Sequence, residues 1–217
     1  MTPEVAGRGR GRPRSGAELD SVALLQGALE AFATHGFEGM SLRELARRLQ
    51  VSHALLTARF GSKEELWRAA VEHALAQIEQ GLADVGGDDG LDDLAALREG
   101  IVRFLVFAAE HPEVGRILQH EGAIDSPRIH FVFERFVAPL RALAEARLDA
   151  LTAAGRIRPI AFPTLHFLIT HGGGAPFTSP VEAALLGAAS PGNRAAVRLH
   201  AEQVADLIVG GLTSGIA

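Results

Sequence analysis

Apolar residues recur along this chain every three to four positions, and no run shows the two-residue alternation of a strand. A first helix is predicted from about Ser21 to His35, with Leu24, Leu25, Ala28, Leu29 and Phe32 on one face. Gly36 supplies its left-handed stop, and Phe37 anchors the next turn in the same core. Two short helices then fall within Ser41 to Lys63. Ser41 and Glu44 have capping-box spacing, and Leu42, Leu45, Ala46 and Leu49 follow on one face. Gln50 and Val51 break the pattern, Ser52 caps again, and Ala54 to Arg59 carries the second helix. A fourth begins at the Ser62 cap and continues through Leu66, Ala70, His73, Ala74 and Ile78 to about Leu82.

The acidic stretch VGGDDG, 85–90, reads as a flexible loop. Beyond it the helical spacing resumes. Leu94, Leu97, Ile101, Phe104, Leu105 and Ala108 form a stripe that ends at His111-Pro112. A short helix covers about Glu113 to Glu121. A long one opens at Ser126-Pro127 and closes at Gly155, with Pro139 as a candidate kink. Another runs from about Pro163 to His171. Gly172-Gly173-Gly174-Ala175-Pro176 reads as a loop, SPVEAALLG as a short segment, and about Asn193 to Leu212 as the last helix. The expected fold is all-α, with about nine helices.

Two short helices joined by a tight turn form the unit that can set one helix in the DNA major groove. Around that unit the chain resembles the TetR family of transcriptional regulators. The likeness lies in residues 28–71, in Phe32-Ala33, His35-Gly36-Phe37, the Ser41 cap, Leu45-Ala46, Val51-Ser52 and, above all, Phe60-Gly61-Ser62-Lys63-Glu64-Glu65-Leu66. It implies a three-helix helix-turn-helix domain over 18–66. It also implies a helical domain over 67–217 that binds a ligand and dimerises.

Composition and charge sharpen the picture. Residues 1–68 hold 10 Lys and Arg against 8 Asp and Glu, a balance of +2, while residues 69–217 hold 11 against 18, or −7. Only the N-terminal part can approach phosphate without repulsion. Residues 1–17, rich in Gly, Pro and Arg, read as a disordered basic arm. Its Arg10 and Arg12, in an Arg-Gly-Arg-Pro run, suit an A·T-rich minor groove. The chain has no cysteine, which excludes disulfides and thiolate metal sites. No apolar run approaches the ~18 residues of a membrane span. The first apolar run follows an Arg-rich stretch and is helical rather than a signal sequence, so the expected address is the cytosol.

On the second short helix, His53, Ala54, Leu55 and Ala58 are the candidates to face base edges. Ala and Leu suit a thymine methyl. By the resemblance, Arg43 reaches a base from the preceding helix, where its guanidinium suits guanine O6/N7. Ser41 and Ser52 stand at the two caps beside the DNA. Thr57, Arg59 and Lys63 match phosphate contacts of the family, though Thr57 replaces a usual tyrosine and reaches less far. The resemblance further implies a palindromic operator read by a homodimer, paired through the last two long helices, 163–171 and 193–212.

It implies an effector pocket as well, for which Phe104, Phe107, His120, Phe133, Phe136 and His166 are candidates, and repression relieved by a small hydrophobic ligand. An architectural DNA-binding protein without sequence choice is the alternative reading. Catalysis or metal binding through the histidines is disfavoured by spacing. His111 and His120 are nine apart and His166 and His171 five, neither the i, i+4 pair of a zinc helix. No cofactor is expected.

Overall fold

The structure, a computed structural model, describes residues 16–83, 92–188 and 192–215. The basic arm up to residue 15 and the 85–90 loop lie outside the described residues. Residues 16 and 17, expected in the arm, instead begin the first helix, α1, Gly16–His35. Among the described residues there are twelve α-helical segments, two π-helical turns and no strand.

Helices α2 (Leu42–Arg48) and α3 (His53–Phe60) follow α1, then α4 (Lys63–Ala83). Phe32 from α1, Leu45 from α2, Leu56 from α3 and Leu66 and Trp67 from α4 meet in one core and are fully buried. Each such side chain contributes roughly 1.5–3 kcal/mol of transfer free energy, and half-buried Phe60 packs beside Leu56 to hold α3 to the core. The turn between α2 and α3 passes through Gln50 at φ 56°, a left-handed residue without a glycine.

The core does not stop at α4. Val114 and Ile117 of α6 (Pro112–Gly122), Val132 of α7 (Pro127–Val132) and Phe136 beyond it join the same cluster. A chain of aromatic contacts marks the route: Phe32 to Phe37 at 5.9 Å, Phe37 to Trp67 at 6.5 Å, Trp67 to Phe131 at 6.3 Å, Phe131 to Phe136 at 6.2 Å. Leu66 and Trp67, on either side of the expected domain boundary, therefore share one core.

The remaining helices complete the second part. α5 (Asp93–Glu110) is capped by Asp92, whose carboxylate accepts from Leu94 and Ala95 N–H. It packs against the last helix, α12 (Arg194–Thr213), through Ile101, Val102 and Leu105 against Ala201 and Ala205. Small residues on α12 let the two axes approach closely. The long helix expected from Pro127 is continuous to Ala153, as α7, a π turn over Phe133–Val137 and α8 (Ala138–Ala153). The π turn lies just before Pro139, whose ring cannot sit beneath an ordinary α-helical turn.

The glycine run differs from its reading as a loop. α9 (Phe162–Phe167) passes into a π turn, Leu168–Gly173, then α10 (Ala175–Thr178) and α11 (Pro180–Leu185). Gly173 is buried against α5 and α12, and a Cβ there would lie 2.8 Å from Val204. The glycine serves close helix packing, and the 163–171 segment is not one long helix.

Candidate nucleic-acid interface

Local capping holds α2 and α3 in place. Ser41 Oγ accepts from Glu44 N–H at 3.1 Å, and Ser52 Oγ accepts from Leu55 N–H at 3.1 Å. Each hydroxyl keeps its own proton for an outside acceptor. Glu44 does not close the expected box on Ser41. Its carboxylate accepts instead from Arg47 and Arg48, and the Arg47 hydrogen bond holds it below the usual carboxylate range. That single carboxylate offsets part of the positive charge on α2.

On α3 only Leu56 is buried. His53, Ala54, Leu55, Thr57, Ala58 and Arg59 are exposed, with Leu55 at 43 %. The exposed residues include the four expected to face base edges. Arg43, on α2, is also exposed and has no ion-pair partner among the described residues. A surface with a free guanidinium, two donor hydroxyls, an imidazole and small apolar groups has the parts needed to read a major groove.

The three residues matched to phosphate contacts are each occupied within the molecule. Thr57 Oγ1 donates to His53 O at 3.0 Å, the back-bond of a hydroxyl to its own helix. The Arg59 guanidinium donates to Ser21 Oγ on α1. Lys63 Nζ donates to Phe37 O at 3.0 Å and lies 3.9 Å from the Phe37 ring centroid. Phosphate contact from these residues must exchange an internal bond for an external one. The partners of Arg59 and Lys63 were not visible in sequence, since both lie more than twenty residues away along the chain. Arg10 and Arg12 fall outside the described residues.

The six aromatic and histidine residues expected around a ligand are not gathered in one cavity. Phe133 and His120 are exposed, while Phe136 is buried in the core that contains Trp67. Phe104, on α5, packs against the core that α5 shares with α12, Phe107 stacks on His111 at 4.3 Å, and His166 lies between Phe162 and Phe167. Aromatic rings at helical spacing fill the space between helices here rather than line a void. Two cavities among the described residues lie elsewhere. One of about 240 Å³ lies between α10 and α12, lined by Phe177, Val197, Leu199 and His200. Another of about 350 Å³ lies beside α8, lined by Arg141, Glu145, Asp149 and Phe162. The first was missed because Pro176 in its wall was read as loop and Phe177 was assigned to no helix.

Among the described residues no group of three His, Asp or Glu could hold a metal ion, and no helix is long and apolar enough to cross a membrane.

Residues 24–70 match the family described as "Bacterial regulatory proteins, tetR family". The HTH-type transcriptional repressor Rv3405c of Mycobacterium tuberculosis is 37% identical over 73 residues, 34% of this chain and 38% of that protein. The HTH-type transcriptional repressor NicS of Pseudomonas putida is 29% identical over 129 residues, 57% of this chain and 60% of that protein. The chain thus spans less than two thirds of the length of these curated relatives. Among solved structures, the ketosteroid transcriptional regulator KstR2 of Mycobacterium tuberculosis matches with a TM-score of 0.71 at 20% identity, covering 95% of this chain and 100% of that one. PfmR, a TetR family transcriptional regulator from Thermus thermophilus, matches at 0.59 and 21% identity, covering 88% and 96%. At such identities the likeness concerns the fold.

Proposed function

Through residues 24–70 the chain belongs to the tetR family of bacterial regulatory proteins, and from that premise we propose that it is a sequence-specific DNA-binding transcriptional regulator, acting as a repressor. The observation that carries this reading is α3. Buried Leu56 and half-buried Phe60 pin it, and its other six residues face solvent beside an Arg43 with no ion-pair partner among the described residues. A helix that only completed a core would leave fewer than six of its eight residues in solvent.

In this reading His53, Ala54, Leu55 and Ala58 lie against base edges and Arg43 reads guanine. Ser41, Ser52, Thr57, Arg59 and Lys63 hold phosphates, and the Arg10-Arg12 arm enters the adjacent minor groove. Two copies are needed, because half-sites one helical turn apart require two reading helices. Leu199 and Leu207 of α12, eight positions apart on one face, support pairing through that helix. Leu207 is 76 % exposed in the single chain. Phe167 and Leu168, at the junction of α9 and its π turn, are also exposed and extend the apolar surface available to a second copy.

Repression is relieved, in the same reading, by a small hydrophobic ligand that favours a dimer whose reading helices are wrongly spaced. Selection of bound fragments from the source genome tests the reading. A few recurrent inverted repeats are expected. Recovery of fragments without any shared sequence contradicts it and favours an architectural protein.

A further inference from the structure

Arg128 is a buried charged residue that lies off α3. Its side chain is 11% exposed, on α7, and its Nε donates to Glu121 Oε2 at 2.9 Å. Glu121, on α6, is 4 % exposed and also accepts from Ser126 Oγ at 2.9 Å. The rest of the guanidinium reaches across to the N-terminal part. One terminal nitrogen is 3.5 Å from Glu64 Oε2, in the first turn of α4, and the other is 3.7 Å from Glu38 Oε1. Its carbon lies 3.8 Å from the Phe37 ring centroid, the same ring that Lys63 covers. One side chain therefore holds α6, the head of α4 and the turn that leads into the Ser41 cap.

The apolar core shared by α1, α4 and α6 attracts but does not direct. Burial of greasy surface is non-directional and tolerates small slides. A planar guanidinium with fixed donor directions does not. Burying it is costly, and an apolar side chain of similar volume would often serve stability as well. A role in geometry explains what a role in stability does not.

We propose that Arg128 is a positioning residue: it fixes the angle at which the α2–α3 unit is carried on the second part of the chain, and so the aim of the reading helix. The proposal rests on the DNA-reading role given to α3 above.

The test removes the directional half of the link, the two contacts to carboxylates, and leaves the less directional Phe37 stack and the buried pair intact. Glu38→Gln with Glu64→Gln removes both carboxylates that Arg128 meets in the N-terminal part, while Glu121 and Ser126 still hold it. Arg68→Gln is the control. It removes the other partner of Glu64, at 3.3 Å, without touching Arg128. The chain has no native cysteine, so spin labels at Ala58→Cys and Asp149→Cys report the distance from α3 to α8, with labelled protein diluted in unlabelled.

Parent and Arg68→Gln proteins should give one narrow distance, and the double variant a broadened or shifted one. In unlabelled protein, the ratio of affinity for a duplex selected from a random pool to affinity for random duplex should fall roughly 3- to 30-fold in the double variant. The ratio cancels the sequence-independent gain in affinity that the loss of two acidic charges brings, because that gain applies equally to both duplexes. An unchanged distance overturns the proposal, and so does a broadened distance with an unchanged ratio. If the parent protein prefers no duplex at all, the DNA-reading role fails by itself, and the label distances alone decide whether Arg128 sets the angle.

Discussion

Ser62 and Glu65 hold each other at the head of α4. Ser62 Oγ accepts from Glu65 N–H at 3.1 Å, and the Glu65 carboxylate accepts from Ser62 N–H at 2.9 Å. At α2 the same sequence spacing gives one bond only, because Glu44 turns to Arg47 and Arg48. Ser62→Ala and Ser41→Ala should each cost about 0.5–2 kcal/mol in urea unfolding, since each removes one hydroxyl bond, whereas Glu65→Ala should cost more than Glu44→Ala because only Glu65 returns a bond to the cap N–H. Equal losses for the two glutamates would mean that the returning Glu65 bond adds nothing.

Gln50 turns the chain between α2 and α3 at φ 56°. A β-branched residue is strained there and glycine is not. Gln50→Val should destabilise by about 1 kcal/mol or more, whereas Gln50→Gly should be neutral or stabilising. Thermal unfolding of both variants checks this. Similar midpoints would place the turn outside the left-handed region.

His166 has its pKa lowered below the ordinary histidine value, first by burial and then by repulsion from His171. A histidine that is harder to protonate when folded binds more protons in the unfolded state. Its contribution is therefore present above the unfolded value of 6.5 and is lost as pH falls through the lower folded value. The unfolding midpoint should drop on acidification from neutral pH, and His166→Phe should flatten that slope. A midpoint that rises on acidification below the unfolded value of 6.5 in the parent alone would reverse the sign.

Arg43 extends from α2 beside the reading helix without an internal partner among the described residues. Arg43→Ala should cost about 1–3 kcal/mol of binding and relax sequence choice at one base pair. A panel of single-base operator variants measures this. If every duplex weakens alike, Arg43 holds a phosphate.

Removal of residues 1–14 takes away Arg8, Arg10, Arg12 and Arg14. Affinity should fall and its dependence on salt should flatten, since fewer counterions are released. A titration of binding against salt concentration gives the slope. An unchanged slope excludes the arm from the interface.

Much of the fold is written in local pattern. Ser41, Ser52 and Ser62 cap the helices their spacing predicts, and Gly36 and Gly61 end α1 and α3 with positive φ. The exposed side of α3 was legible because its large apolar residues at positions 56 and 60 fall on one face, and Leu56 and Phe60 turn inward. What escaped was tertiary. Gly173 reads as a loop residue until α5 and α12 close on it, and Phe136 reads as a ligand contact until it joins the core around Trp67. Arg128, Arg59 and Lys63 look like ordinary surface cations in sequence. Their partners lie 7 to 90 positions away, at Glu121, Ser21, Phe37, Glu64 and Glu38, where no periodicity reaches.

The most direct measurement is competition between a selected duplex and random-sequence duplex for the full chain at moderate ionic strength. A reading helix presented twice to successive turns of DNA should favour the selected duplex by at least about 10³-fold, with two protomers bound per site. Equal affinity for both, or one protomer bound per site, would contradict the account.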